Sequence, residues 1–194
     1  MSVLPQPPGR LLTIREYADL GEIEHGRYEL QEGRLVMSPS PTPDHMIAIA
    51  RLYGALERQI PKDFAAVPDV DVDLQLAPAT HPGSSRRPDL LIVRREALGR
   101  VRKERGLLRA GEVLIVIEIV SPGSERTDYV IKRGEYADAG IPYYWVIDLQ
   151  PSGSLTAFQL AGGFGYQEAG EFPGTFEIET PISVRLDLED LRHE

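Results

Sequence analysis

Two carboxylates in this sequence sit where an ionised side chain is costly. Asp89 follows Pro88 and opens an apolar run, Leu90-Leu-Ile-Val93, while Glu118 interrupts another, with Val113-Leu-Ile-Val-Ile117 before it and Ile119-Val120 after. A buried carboxylate without a partner either costs about several kcal/mol or takes up a proton. Taken singly, Glu118 reads as a strand-end group in solvent or a structural partner of Lys132, and Asp89 as an ordinary strand start. Taken together they say more, because neighbouring strands of one sheet would bring both within bridging distance of one cation, which two crowded like charges require. Lys132 lies four residues from Asp128 and four from Tyr136, so the three share one helical face. That lysine either reaches the carboxylates or stays solvated beside Asp128, a pairing worth a few tenths of a kcal/mol, roughly.

The elements that must position these groups follow from pattern and punctuation. Thr13-Ile-Arg-Glu16 has the spacing of a capping box and predicts a short helix to about Leu20. Arg27 to Gln31 and Arg34 to Met37 predict a hairpin about Glu32-Gly33. Thr42-Pro43 marks a helix start, with Met46, Ile49, Ala50, Tyr53, Leu56 and Ile60 on one face and Pro61 as its stop. Asp69 to Leu76 alternates and predicts a half-exposed strand. The continuous runs Leu90 to Val93, Val113 to Val120 and Tyr143 to Leu149 predict central strands. A helix from Ser124 to Ala139, closed by Gly140, makes the last two a parallel crossover unit. Beyond Pro151 a hairpin about Gly162-Gly163 and a strand near Ile182 to Leu186 are expected.

Composition narrows the chemistry. The 194 residues suit one domain, with a tail at 1–12 and the domain at 13–194. No apolar run approaches the roughly 20 residues of a membrane helix, and the N-terminus lacks a secretion signal, so the expected location is cytoplasmic without a membrane partner. With no cysteine, any metal must sit on carboxylates, carbonyls or imidazoles, which favours a hard ion such as Mg²⁺. The net charge is −9, yet residues 86–109 hold nine basic and three acidic side chains, so that segment is +6 and the remainder −15. It reads as a solvated basic loop or as a phosphate-facing patch.

The order of short words along the chain resembles the Uma-two family of restriction-endonuclease-like proteins, within the PD-(D/E)-x-K nuclease superfamily. The words are Tyr28-Glu-Leu, Glu32-Gly-Arg-Leu-Val36, Ser38-Pro39, Pro43-Asp-His45, Pro88-Asp89, Glu118-Ile-Val-Ser-Pro122, Asp128, Lys132, Tyr136, Ala139-Gly140 and Tyr144-Trp-Val-Ile-Asp148. The resemblance runs from about Thr13 to Leu191. It implies an α/β (α+β) fold, a mixed sheet flanked by helices, with an N-terminal hairpin and a C-terminal β extension. It also implies metal ligands at Asp89 and Glu118, and a lysine two residues after the glutamate. That position is Val120 here, so the lysine role moves to Lys132. In families of this type a glutamate and a histidine join the site, and the matching positions are Glu29 and His45.

These readings combine into an expected Mg²⁺- or Mn²⁺-dependent endonuclease acting on DNA. Asp89, Glu118 and the backbone of Ile119 would hold the metal, Lys132 would serve the transition state, and Arg86, Arg87, Arg102, Lys103 and Arg105 would hold phosphates. A homodimer is expected because cutting two strands needs two sites. The alternatives are a non-catalytic nuclease-fold module that binds DNA or a protein, and a hydrolase with another substrate.

Overall fold

In the computed structural model, which describes residues 10–21, 27–150 and 153–192, the N-terminal signals act as the chain reads. Thr13 caps α1 (Ile14–Asp19) through the reciprocal box with Glu16. The hairpin β1 (Arg27–Gln31) and β2 (Arg34–Ser38) turns on Glu32 and Gly33, both at positive φ (47° and 79°), the two-residue turn whose twist matches paired strands. A side chain at Gly33 would meet Leu11 and Pro82 at 2.8 Å. Of the proposed tail, residues 1–9 lie outside the described residues, whereas Leu12 is buried with Tyr17 and Leu30. The packed chain thus begins before Thr13.

Thr42 caps α2 (Pro43–Glu57), with Pro43 in the first turn. Its buried stripe is Ala48, Ile49, Leu52 and Leu56, while Met46, Ala50 and Tyr53, expected on that face, are exposed. β3 (Phe64–Pro68) had no signal in the sequence. The strand expected over Asp69 to Leu76 shrinks to β4 (Val72–Asp73) because Asp69 and Gln75 take positive φ and break the extended run. β5 (Ser85–Arg86) and β6 (Leu90–Arg94) follow. The segment read as a basic loop carries a helix in its middle: α3 (Arg95–Glu104) puts basic side chains in its last turn, where the helix dipole favours them.

β7 (Leu108–Arg109) and β8 (Val113–Ile119) lead into the crossover. The helix expected there divides into a π-helical turn, Thr127–Lys132, and α4 (Arg133–Asp138). β9 (Tyr143–Asp148), β10 (Ser154–Leu160), β11 (Tyr166–Pro173), β12 (Thr175–Ile178) and β13 (Val184–Asp187) complete the chain.

The strands form a six-stranded sheet in the order β11-β10-β9-β8-β6-β3, a five-stranded sheet β2-β1-β5-β4-β7 and the pair β12-β13. β8 and β9 run parallel, as a crossover demands. The central strands β6, β8 and β9 of the larger sheet are buried on both faces, which explains their continuous apolar runs. Leu90, Ile92, Ile117 and Trp145 pack beneath α2 and the β12-β13 pair. Leu91, Val116, Tyr144 and Tyr136 pack on the α4 side. No helix among the described residues is long and apolar enough to cross a membrane.

Candidate active site

The register of the central sheet sets the two carboxylates side by side. Leu90 pairs with Ile117, so one step back along β6 and one step forward along β8 put Asp89 across from Glu118. Alternation turns Glu118 towards α4, away from Ile117 and Ile119, which pack under α2. Glu118 is 2% exposed, and both its oxygens have donors. The Tyr136 hydroxyl donates to Oε1 at 2.8 Å and Lys132 Nζ stands 3.0 Å from Oε2.

Lys132 is shared. Its ammonium also lies 3.1 Å from Oδ1 of Asp128, itself 2% exposed. The surface pair that spacing allowed is instead a buried triad of two carboxylates and one lysine. Asp128 is fixed further by the Ser124 hydroxyl, which donates to its Oδ2 at 2.6 Å. Burial opposes the charge on Lys132, but Glu118, then Asp128, Glu29 and Asp89, outweigh it and hold the ammonium above its ordinary range. Burial pushes Glu118 up to about 8; Lys132 pulls against this and Asp89 and Asp128 add to it.

Asp89 is held from two sides. Its Oδ1 lies 2.9 Å from His45 Nε2 and its Oδ2 accepts the Ile119 N–H at 2.7 Å. His45 comes from the first turn of α2, which Thr42 caps. The hydrogen bond to Asp89 raises the imidazole pKa, and burial opposes that rise.

Glu29 lies within electrostatic reach of Lys132, but its direct partners are Arg86 Nη1 at 2.6 Å and the Arg87 N–H at 3.0 Å. Arg86, expected to hold phosphate, is 2% exposed and clamps Glu29 to Glu135 across the second sheet and α4. Arg87 pairs with Asp71. The Arg86 pairs are structural, since a buried guanidinium needs its carboxylates, whereas Arg87 is only partly buried beside Asp71. Arg102, Lys103 and Arg105 are exposed on and after α3. They lie beyond the end of β6 opposite Asp89, about 16 Å of strand away.

The architecture therefore gathers Asp89, Glu118, Lys132 and His45, with Glu29 at the edge of the cluster. The sequence reading missed three supports: Tyr136 as a donor to Glu118, Ser124 beneath Asp128, and Asp128 as a buried member. The spacing of four between Asp128, Lys132 and Tyr136 carried that signal.

Among the described residues no three His, Asp or Glu side chains already converge as a metal cage. The donor set nonetheless fits a hard divalent ion. Asp89 and Glu118 lie on adjacent strands and Asp128 shares Lys132 with Glu118, so the oxygen donors that a hard ion takes are gathered in one place.

A family model described as "Putative restriction endonuclease" matches residues 14–189. The chain belongs to the Uma2 family. Its fold is similar to the crystal structure of a "putative nuclease belonging to DUF820" from Anabaena variabilis, with a TM-score of 0.68 at 18% identity, covering 93% of this chain and 97% of that one. At that identity the likeness speaks for the fold alone, the mixed α+β architecture that Uma2 membership implied. No curated protein matches the sequence.

Proposed function

We propose that this Uma2 chain is a divalent-metal-dependent phosphodiesterase, an endonuclease acting on DNA. The observation that carries this reading is the buried cluster itself: Asp89 and Glu118 adjoin on neighbouring strands, with a helix-borne lysine between Glu118 and Asp128. Family membership supports a nuclease-type activity. Asp89 and Glu118 would hold Mg²⁺ or Mn²⁺, and such an ion, when bound, supplies a Lewis acid and a water of lowered pKa. His45 and the Ile119 amide fix the direction of the Asp89 carboxylate. Lys132 keeps a permanent positive charge in a water-poor site, where it offsets the charge that grows on phosphate oxygens. Arg102, Lys103 and Arg105 would hold flanking phosphates without reading sequence.

One observation favours a non-catalytic module: each oxygen of Asp89 and Glu118 already has a protein partner, and a module of that kind would leave them so. The purified chain incubated with plasmid, single-stranded DNA and RNA across Mg²⁺ and Mn²⁺ decides between the two. Metal-dependent cleavage that Asp89→Asn abolishes is expected. Binding of DNA without cleavage, at metal concentrations that saturate the protein, would establish the module instead.

A further inference from the structure

The strand β2 closes one side of the five-stranded sheet, and an open strand edge is a template for another strand unless something blunts it. Among the described residues, the other edges of the two larger sheets are blunted. β11 carries Glu168 and Glu171 and breaks register opposite Ala157 and Phe158, β3 ends in Pro68, and β7 is two residues long. β2 carries a single charge, Arg34, at its turn end, with no bulge and no proline within the strand. Its sequence is Arg34-Leu-Val-Met-Ser38, its pairing with β1 is regular, and Val36 and Met37 are 38% and 59% exposed.

The turn fixes which backbone groups face outward. In a two-residue hairpin the residues flanking the turn, Gln31 and Arg34, exchange both their hydrogen bonds, and bonding then alternates along the ladder. Arg34, Val36 and Ser38 therefore spend their N–H and C=O groups on β1, while Leu35 and Met37 aim theirs at the open side. The same alternation turns Leu30 away from β2, and Leu30 does pair with Ser85 of β5. Beyond these two positions the edge is already occupied or lacks a donor. Gly33 donates to Gly83 O and accepts from Leu12 N, and Pro39 has no N–H to give.

From this edge we infer that β2 is a self-pairing surface, and that its occupant is β2 of a second copy of this chain. Antiparallel pairing about a two-fold axis at Val36 sets Leu35 against Met37 of the second copy, twice over, so every outward donor and acceptor meets its complement. Shifting the axis to Leu35 would spend Met37 on the occupied Gly33, and shifting it to Met37 would spend Leu35 on Pro39. With the axis at Val36, Arg34 faces Ser38, and no charge meets its like. Two five-stranded sheets then run on as one. Opposed residues of an antiparallel pair share a face, so the two Glu29 side chains, each across from Val36 in its own hairpin, look out on the same side. A contact of five residues a side falls short of the roughly 20–30 residues a side of stable interfaces, so the dimer is concentration dependent. This surface stands whether or not the chain is a nuclease.

The absence of cysteine makes the test direct. At the two-fold axis Val36 opposes itself as a non-hydrogen-bonded pair with Cα atoms about 4.5 Å apart, within disulfide reach. Under mild oxidation V36C should form a disulfide-linked dimer at least about tenfold faster than L35C, whose cysteine faces Met37. In sedimentation the parent chain should move from one copy to two as concentration rises. Met37→Pro, which removes an outward N–H while leaving the hairpin ladder intact, should weaken association roughly tenfold or more. Equal crosslinking of V36C and L35C, or a dimer that Met37→Pro leaves unchanged, would place the contact on another surface. A parent chain that remains a single copy at about 200 μM, well above the range of a weak specific dimer, would overturn the inference.

Discussion

At the scale of single residues the site is a balance of buried charge, and each member is held by the others. Lys132→Ala should lower turnover by about two to three orders of magnitude, the effect of removing a charge that stabilises the transition state. It should also cost about 3–5 kcal/mol of stability, because Glu118 and Asp128 are left buried without their cation. Spacing alone suggested a few tenths, so thermal melts separate a buried triad from a surface pair. The sign of the pH dependence follows from Glu118. Its folded pKa, about 8, stands above its ordinary value of 4.5. The metal-free protein therefore carries that stability in full below about pH 4.5 and loses it as pH rises through 8. His45, also raised, acts in the same direction from about 6.5 upward. Glu118→Gln should flatten the melting temperature across this window and weaken Mn²⁺ binding by calorimetry. Asp89→Asn should weaken Mn²⁺ binding likewise while leaving the metal-free fold as stable or more so. Unchanged affinity in both variants would remove the metal from these two residues.

At the scale of elements the site depends on how α2 begins. Thr42 accepts the His45 N–H at 3.2 Å, so the residue that caps α2 also seats the imidazole that faces Asp89. Thr42→Ala should cost about 1 kcal/mol by the loss of a cap and loosen His45; a histidine resonance whose shift no longer responds to Asp89→Asn would report the second effect. The helix caps, the hairpin turn and the continuous apolar strands were legible because each rests on local chemistry: a hydroxyl at the right offset, a glycine at positive φ, a run with no polar face. The π-helical turn was not. A helix written from Ser124 to Ala139 shows the same apolar spacing whether or not it widens midway, and the widening shows only against the pocket that receives Asp128 and Lys132 together. β4 failed for a related reason, since the alternation of Asp69 to Leu76 says nothing of the left-handed turns at its ends. Arg86 failed for another: a run of basic residues does not reveal which of them meets Glu29 and Glu135 from distant parts of the chain.

At the scale of the whole molecule the charge that the average of −9 conceals is displayed on and after α3. Binding to DNA should weaken as salt rises, with log affinity falling linearly in log salt as condensed counterions are released. Replacing Arg102, Lys103 and Arg105 with glutamine should reduce that slope by about two to three, roughly one for each phosphate no longer neutralised. A slope equal to that of the parent would make α3 a solvated face only. The parallel pairing of β8 with β9 has a further consequence, one of timing. Glu29, His45, Asp89, Glu118, Asp128, Lys132 and Tyr136 all precede β9 in the chain, yet the strand that walls in the Glu118 side of the sheet comes after them. A chain emerging from the ribosome therefore presents its charged groups to water before the wall that desolvates them exists, and such non-local parallel pairing is slow to close. Until Tyr143–Asp148 has been made and seated, the acids stand in water and the cluster they form with Lys132 is not yet assembled.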